Sequence, residues 1–195
     1  MNMEMEKTAA PSATKIRSII LCGLFAALTV VGSYLRIPLP VIPFTLQYFF
    51  VAFSGFLLGA RRGAASQLIF AVAGLAGLPV FTKGGGLWYI FEPSFGYIIG
   101  FVLAAWFIGK CMERLGSYTI RNCLIASVLG MLLDYACGVL YMYLILNFYL
   151  GKATPILSVI FTGAVVFAPK DLALCIVTAL CCNRLVPLLK KTGLC

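Results

Sequence analysis

Long apolar stretches, separated by short polar or proline- and glycine-rich connections, dominate the chain. A helix that crosses the hydrocarbon core of a bilayer needs about 20 predominantly apolar residues, and several stretches approach that length. The pattern therefore predicts an all-α, polytopic integral membrane protein with six transmembrane helices. The predicted helices cover residues 16–35, 45–60, 64–80, 93–109, 122–149 and 169–186.

The connections between these stretches carry residues that interrupt helices. Pro38, Pro40 and Pro43 predict an extended loop after the first helix, because closely spaced prolines are incompatible with a helix interior. Residues 61–63 predict a tight turn, and the three glycines of 84–86 predict a loop. The apolar stretch 155–167 is short for a span, and it is interpreted as a re-entrant or interfacial segment.

The N-terminal residues 1–14 are polar and are interpreted as a cytoplasmic tail. The apolar run that follows has no small-residue cleavage motif at its end, so we expect it to be retained as a helix. Residues 15–191 are then predicted to form a single six-helix membrane domain.

Composition supports the membrane assignment. Hydrophobic residues make up 62% of the 195-residue chain, charged residues make up 11%, and the mean hydropathy is +1.03, which leaves no room for a sizeable soluble domain. The net charge of +9 is spread thinly between apolar runs, which argues against nucleic acid as a partner.

The chain has no histidine, which excludes His-dependent zinc, haem and triad chemistry. Its eight cysteines contain no C-x-x-C pair and are expected to pack as small apolar residues.

The basic residues predict the orientation, because the cytoplasmic flanks of membrane helices carry an excess of Lys and Arg. With the N-terminus in the cytoplasm, the outer loops carry only Arg36, Lys83 and Lys152, and Lys170 lies at a helix start. The inner flanks carry the remaining basic residues, namely Lys7, Lys15, Arg17, Arg61, Arg62, Lys110, Arg114, Arg121, Arg184, Lys190 and Lys191. Both termini are therefore predicted to be cytoplasmic.

In this orientation most of the unusual polar residues collect on the outer side. Polar groups at or below the edge of a bilayer cost free energy unless they are satisfied, so a cluster of them among aromatic residues predicts a binding cavity. The candidate residues are Thr45, Gln47, Lys83, Gly85, Tyr89, Tyr97, Lys170 and Asp171.

Several of these candidates also have a purely structural interpretation. Asp171 either interacts with the positive end of the last helix or accepts hydrogen bonds from ligand N–H groups. Lys83 either extends to the membrane interface or attracts an anionic ligand, and the glycines around Gly85 form either a flexible turn or a backbone N–H site for a carboxylate. Tyr89 and Tyr97 either belong to an interfacial aromatic belt or line the cavity.

Two further features lie within the predicted spans. Asp134 is placed near the middle of the fifth helix, where a carboxyl group must face protein or be protonated, and a hydrogen-bonded structural role is preferred over a proton relay. Gly23 and Ala27 form a small-x-x-x-small pair on the first helix, which allows another helix to approach closely. That second helix belongs either to this protein or to a partner.

Four segments together closely resemble the BioY family, the biotin-binding substrate components of energy-coupling factor (ECF) transporters. They are residues 37–47 (IPLPVIPFTLQ), 58–64 (LGARRGA), 77–81 (GLPVF) and 93–101 (PSFGYIIGF). Their order, spacing and orientation match from about residue 24 to residue 185. The resemblance implies a multi-pass protein of the plasma membrane that captures biotin from outside. It also implies docking onto a transmembrane coupling protein with two cytoplasmic ATPases.

The resemblance also implies roles for particular residues. Asp171 occupies the position of the family's Pro-x-Asp-Leu motif, where it would accept hydrogen bonds from the two N–H groups of the biotin ureido ring. Many members carry a lysine one turn later, where this chain has Leu174, so either Lys170 or Lys83 is expected to take the biotin carboxylate. Thr45, Gln47 and Tyr97 match family positions near the cavity. Biotin is the transported substrate, and no cofactor is implied.

Two alternatives remain open from the sequence. One is a substrate component for a different vitamin. The other is a membrane-embedded enzyme, although no span contains a pair of carboxylates for acid–base catalysis. The chain also lacks the G-x-x-x-x-G-K-[ST] loop, so an ATPase site is not expected in it.

Overall fold

A computed structural model describes residues 5–37, 39 and 42–191, with the side chains of residues 15–37, 39 and 42–189. Most of these residues are helical. The main helices are α1 (Met5–Tyr34), α2 (Gln47–Leu75), α3 (Phe95–Leu115), α4 (Ile120–Leu144), α5 (Ile156–Ile160) and α6 (Ala168–Lys191). Two short strands, β1 (Arg36–Ile37) and β2 (Phe44–Thr45), form a hairpin, and a 3₁₀ helix covers Leu87–Phe91. Single π-helical turns follow α4 at Ile145–Tyr149 and α5 at Phe161–Val165.

Four helical segments of the described chain are long and apolar enough to cross a membrane. They are Lys15–Tyr34, Phe95–Leu115, Ile120–Tyr149 and Ile156–Leu189. Helix α2 is interrupted within its length, so each of its two parts is shorter than the roughly 20 residues of a typical span.

The interruption in α2 lies at Gly59, not at the turn predicted for residues 61–63. Gly59 has φ 77° and ψ −179°, a backbone conformation that is essentially restricted to glycine, while residues 61–63 remain helical. The second part of α2 folds back against the first, since Gln67 Nε2 donates to Ser54 Oγ at 3.2 Å. The backbone N–H of Ala60 donates to Glu113 Oε1 at 3.1 Å, which satisfies a donor that the interruption leaves free. The structure therefore divides α2 into two parts at Gly59, and a membrane crossing by each part stays a prediction.

Other helix boundaries also differ from those predicted. Helix α1 begins at Met5, so the part of the predicted tail that is described continues the helix, which costs less than starting a new one. Helix α6 continues through Pro187, where we predicted its end, because a proline removes one helical hydrogen bond without preventing a further turn. Residues 156–165 are helical and run into α6. Their predicted re-entrant or interfacial position stays a prediction.

The helices pack closely around small residues. A side chain at Gly55 would collide with the backbone oxygen of Ala105, and one at Gly109 would collide with the backbone of Ala60. Because these contacts join α2 to α3, both glycines allow the two helices to approach each other closely. All seven cysteines among the described residues are free.

The β1–β2 hairpin forms part of the extended loop predicted after the first helix. Arg36 pairs with Thr45, and Ile37 pairs with Phe44. Residues 38, 40 and 41, between the two strands in sequence, lie outside the described residues. The hairpin brings β2 to the start of α6, where Lys170 Nζ donates to the Thr45 carbonyl at 2.7 Å.

Candidate ligand-binding site

A cavity that is partly open to solvent lies between the hairpin, the 3₁₀ helix and helices α2, α3, α4 and α6, and it encloses about 600 Å³ of space when the open part is included. Most of its lining is aromatic or aliphatic, with a few polar groups. The lining residues are Ile42, Pro43, Thr45, Gln47, Tyr48, Phe81, Thr82, Tyr89, Ser94, Tyr97, Ile98, Phe101, Asp134, Tyr135, Gly163, Phe167, Lys170 and Asp171.

The first turn of α6 supplies an ion pair to the cavity. Lys170 Nζ lies 2.7 Å from Asp171 Oδ1, and the two side chains are only 13% and 6% exposed. Tyr135 donates its hydroxyl to Asp171 Oδ2 at 2.6 Å. The Lys170 ammonium also lies over the rings of Phe44 and Phe167, at 4.7 Å and 5.9 Å from their centroids. Both charges are therefore fixed in position before a ligand binds.

Hydroxyl groups on the other side of the cavity are linked to one another. The hydroxyl oxygen of Tyr89, in the 3₁₀ helix, lies 3.0 Å from Thr82 Oγ1 and 3.2 Å from Ser94 Oγ. Tyr97, in the first turn of α3, donates to the Gly163 carbonyl at 2.7 Å. These bonds hold aromatic rings in place along the apolar part of the lining.

Asp134, from the middle of α4, adds a second carboxyl group to the cavity lining. It is 3% exposed, and its Oδ1 atom has no hydrogen-bond partner among the described residues. The preferred expectation of a hydrogen-bonded structural aspartate is therefore wrong for this oxygen.

The structure brings six of the eight candidate binding residues together around this cavity. They are Thr45, Gln47, Tyr89, Tyr97, Lys170 and Asp171. Tyr48, Thr82, Ser94 and Tyr135 also line it and were not predicted. A polar or tyrosine side chain within a predicted span was the available signal for Tyr48 and Tyr135, but sequence alone did not show which way each one points.

Lys83 and Gly85 do not line the cavity. Lys83 Nζ pairs with Glu92 Oε2 at 2.7 Å, and its side chain is 36% exposed. The Gly85 carbonyl accepts a hydrogen bond from Trp88 Nε1 at 2.8 Å, and a side chain at Gly85 would collide with the Leu78 carbonyl. The contacts of Gly85 thus explain the need for glycine without a ligand.

Gly23 and Ala27 lie on an exposed face of α1, away from the cavity. A side chain at Gly23 would meet no atom within 4 Å. Within the described chain, the pair therefore leaves space for a helix that the structure does not itself supply.

Comparisons with known proteins give one consistent result. The sequence model of the BioY family matches residues 4–191. A protein of Lysinibacillus sphaericus named probable biotin transporter BioY is 45% identical over 168 residues, which cover 86% of each chain. The biotin transporter BioY of Thermotoga maritima is 39% identical over 171 residues, which cover 87% of this chain and 96% of the relative.

A solved structure has the same fold. It is a crystal structure, at 2.1 Å, of the S-component for biotin from an ECF-type ABC transporter. It superposes with a TM-score of 0.78 at 26% sequence identity, and the match covers 89% of this chain and 92% of that chain. The family match includes every element that lines the cavity.

Proposed function

Because the chain belongs to the BioY family, we propose that it captures biotin in the cavity described above and carries it into the cell. The chain is a multi-pass protein of the plasma membrane, and it is a transporter component and not an enzyme. The observation that carries the proposal is the buried Lys170–Asp171 pair at 2.7 Å within a cavity lined mainly by aromatic and aliphatic residues.

The chemistry of biotin suits this lining. The bicyclic ring and valeryl chain are largely apolar and would contact the aromatic residues, while the ureido ring offers two N–H donors and the other end carries a carboxylate. Asp171 would accept from a ureido N–H group, since a carboxylate has about four acceptor positions and only two are engaged here. Lys170 would hold the biotin carboxylate, which requires the valeryl chain to fold back towards the ureido ring, because Lys170 Nζ lies 2.7 Å from Asp171 Oδ1. Lys83 is already paired with Glu92 outside the cavity and is the weaker candidate.

Six membrane segments and cytoplasmic termini are part of the proposal. The four long helices account for four segments, and the two antiparallel parts of α2 would supply the other two. The count of basic residues favours cytoplasmic termini, which would place the cavity near the outer surface.

The energy for uptake would come from partner subunits. We propose that the chain docks onto a transmembrane coupling protein carrying two cytoplasmic ATPases, as is typical of ECF transporters. Gly23 and Ala27 are proposed to receive a helix of the coupling protein, because small residues on an exposed helix face permit close packing in lipid.

Titration calorimetry of the purified chain in detergent tests the binding proposal without any partner subunit. The parent should bind biotin without ATP, and Asp171→Ala should weaken binding by about 1–3 kcal/mol, or roughly 5- to 150-fold, because a buried hydrogen bond is lost. Glu92→Ala, which removes a carboxylate outside the cavity, is the matched control and should bind as the parent does. Equal affinity of Asp171→Ala and the parent would refute the role of Asp171. Preference for a different vitamin in competition would refute the choice of ligand.

A further inference from the structure

Asp134 has a buried carboxyl oxygen that no described residue satisfies. Asp134 lines the cavity and is 3% exposed, and its Oδ1 atom is buried without a hydrogen-bond partner within the described chain. An unpartnered carboxyl oxygen in a low-dielectric site carries a large free-energy cost, and such atoms are uncommon in native proteins. A ligand in the cavity that donates a hydrogen bond to the Asp134 carboxyl group would reduce this cost.

Most of the other charged and hydroxyl groups around the cavity have partners, although Asp171 Oδ1 makes an ion pair with Lys170 and no hydrogen bond. Asp171 contacts Lys170 and Tyr135 through its two oxygens. The hydroxyl of Tyr97 donates to Gly163, and that of Tyr48 donates to the Ser127 carbonyl at 2.7 Å. Asp134 therefore offers an acceptor that the protein itself does not use.

The packing of α3 against α4 holds this carboxyl group in place. Gly100 of α3 faces Asp134, and a side chain at Gly100 would collide with Asp134 Oδ1. The absence of a side chain at position 100 leaves room for Asp134 Oδ1 against the backbone of α3. The orientation of Asp134 is thus built into the contact between the two helices.

We propose that Asp134 accepts a hydrogen bond from a ring N–H group of the bound ligand. This inference rests on the proposed function, since the ureido ring of biotin carries two N–H donors. Asp171 accepts a hydrogen bond from one ureido N–H group and Asp134 accepts one from the other. Two carboxyl groups on different helices thus bind opposite sides of the ring. Asp134 thereby becomes a specificity-determining residue of the site.

The test combines variants of Asp134 with ligands that lack one donor. Biotin and its two mono-N-methylated analogues, each with one ureido N–H replaced by N–CH₃, are titrated into the parent and into Asp134→Ala. With biotin, Asp134→Ala should bind about 5- to 150-fold more weakly than the parent. With the analogue methylated at the nitrogen that faces Asp134, the parent and Asp134→Ala should bind within about twofold of each other, because that hydrogen bond is already absent.

Two further variants separate this role from a structural one. Asp134→Asn keeps an acceptor oxygen and should lose less affinity than Asp134→Ala. If the alanine variant does not fold, the asparagine variant replaces it in the titrations. Ser127→Ala is the matched control, since Ser127 lies about two turns earlier on α4 and is also buried with an unpartnered side-chain oxygen, but does not line the cavity. Ser127→Ala should bind biotin as the parent does.

The possible failures are distinguishable. If the parent binds biotin and Asp134→Ala binds it equally well, the inference is overturned and the proposed function stands. The same holds if Asp134→Ala lowers the affinity for biotin and for both methylated analogues by the same factor, because the effect is then indirect. If the folded parent does not bind biotin at all, both the proposed function and this inference are overturned.

Discussion

Replacing Lys170 by methionine is expected to destabilise the protein strongly, because it leaves the carboxylate of Asp171 buried without its counter-charge. The two side chains are 13% and 6% exposed, and Lys170 Nζ also donates to the Thr45 carbonyl. Removing one partner of a buried ion pair costs about 3–5 kcal/mol. Methionine keeps most of the aliphatic stem, so the loss reports mainly on the ammonium group.

Lys83→Met is the matched comparison, since Lys83 makes an ion pair of the same 2.7 Å length in a more exposed setting. Its side chain is 36% exposed and that of Glu92 is 21% exposed. Such pairs contribute about 0–1 kcal/mol. Equilibrium unfolding in detergent, followed by intrinsic fluorescence, should therefore rank the Lys170 variant well below the Lys83 variant and the parent.

The double variant Lys170→Met/Asp171→Leu isolates the pair itself. Removing the second charge should recover much of the stability lost in Lys170→Met, because no uncompensated carboxylate remains. Lys170→Met should also bind biotin and its methyl ester with similar affinity, whereas the parent should prefer biotin. Equal stability losses for Lys170→Met and Lys83→Met would refute the argument from burial. An unchanged preference for biotin over the ester in Lys170→Met would refute the assignment of the carboxylate to Lys170.

Three other predictions address orientation, docking and the interruption in α2. In a background without native cysteines, a single cysteine at Lys83 should react with an impermeant reagent in intact cells, while one at Arg114 should not; the reverse result would contradict the orientation. Replacing Gly23 and Ala27 by leucine should leave biotin affinity nearly unchanged but abolish co-purification with the coupling protein and ATP-dependent uptake, so normal uptake would place docking elsewhere. Gly59→Ala should lower the free energy of unfolding by about 1–3 kcal/mol, because Gly59 has a positive φ of 77°. Gly23→Ala, at a position without a positive φ, should not lower it. Equal stability of the two variants would contradict the argument from backbone conformation.

The apolar pattern was sufficient to predict a mostly helical membrane protein, because burial in a membrane requires long uninterrupted runs. It could not locate the interruption in α2, since glycine occurs at positions 55, 59 and 63. The sequence alone does not show which of the three adopts a positive φ. Gly63 is needed where the second part of α2 packs on the first, Gly55 is needed where α2 packs on α3, and of the three only Gly59 adopts the positive φ. The exact position of the turn therefore depends on tertiary packing.

The candidate site was predictable where a polar residue stands among aromatic residues at a helix start, as with Lys170, Asp171 and Gln47. The sequence did not show that Lys83 forms an ion pair with Glu92, a nearby residue in the chain, and so does not contribute to the site. The position of Asp134 in a span was evident, but its direction depends on how α4 is rotated against α3, and no local pattern encodes that rotation.

The most direct test of the account is to identify what the protein binds when it has a choice. The parent and Asp171→Ala are purified from cells grown with a mixture of vitamins, washed, denatured, and the released molecules are identified and quantified by mass spectrometry. The account predicts that the parent releases biotin, close to one molecule per chain, and that Asp171→Ala releases much less. A different vitamin in place of biotin, or a folded parent that releases no small molecule, would contradict it.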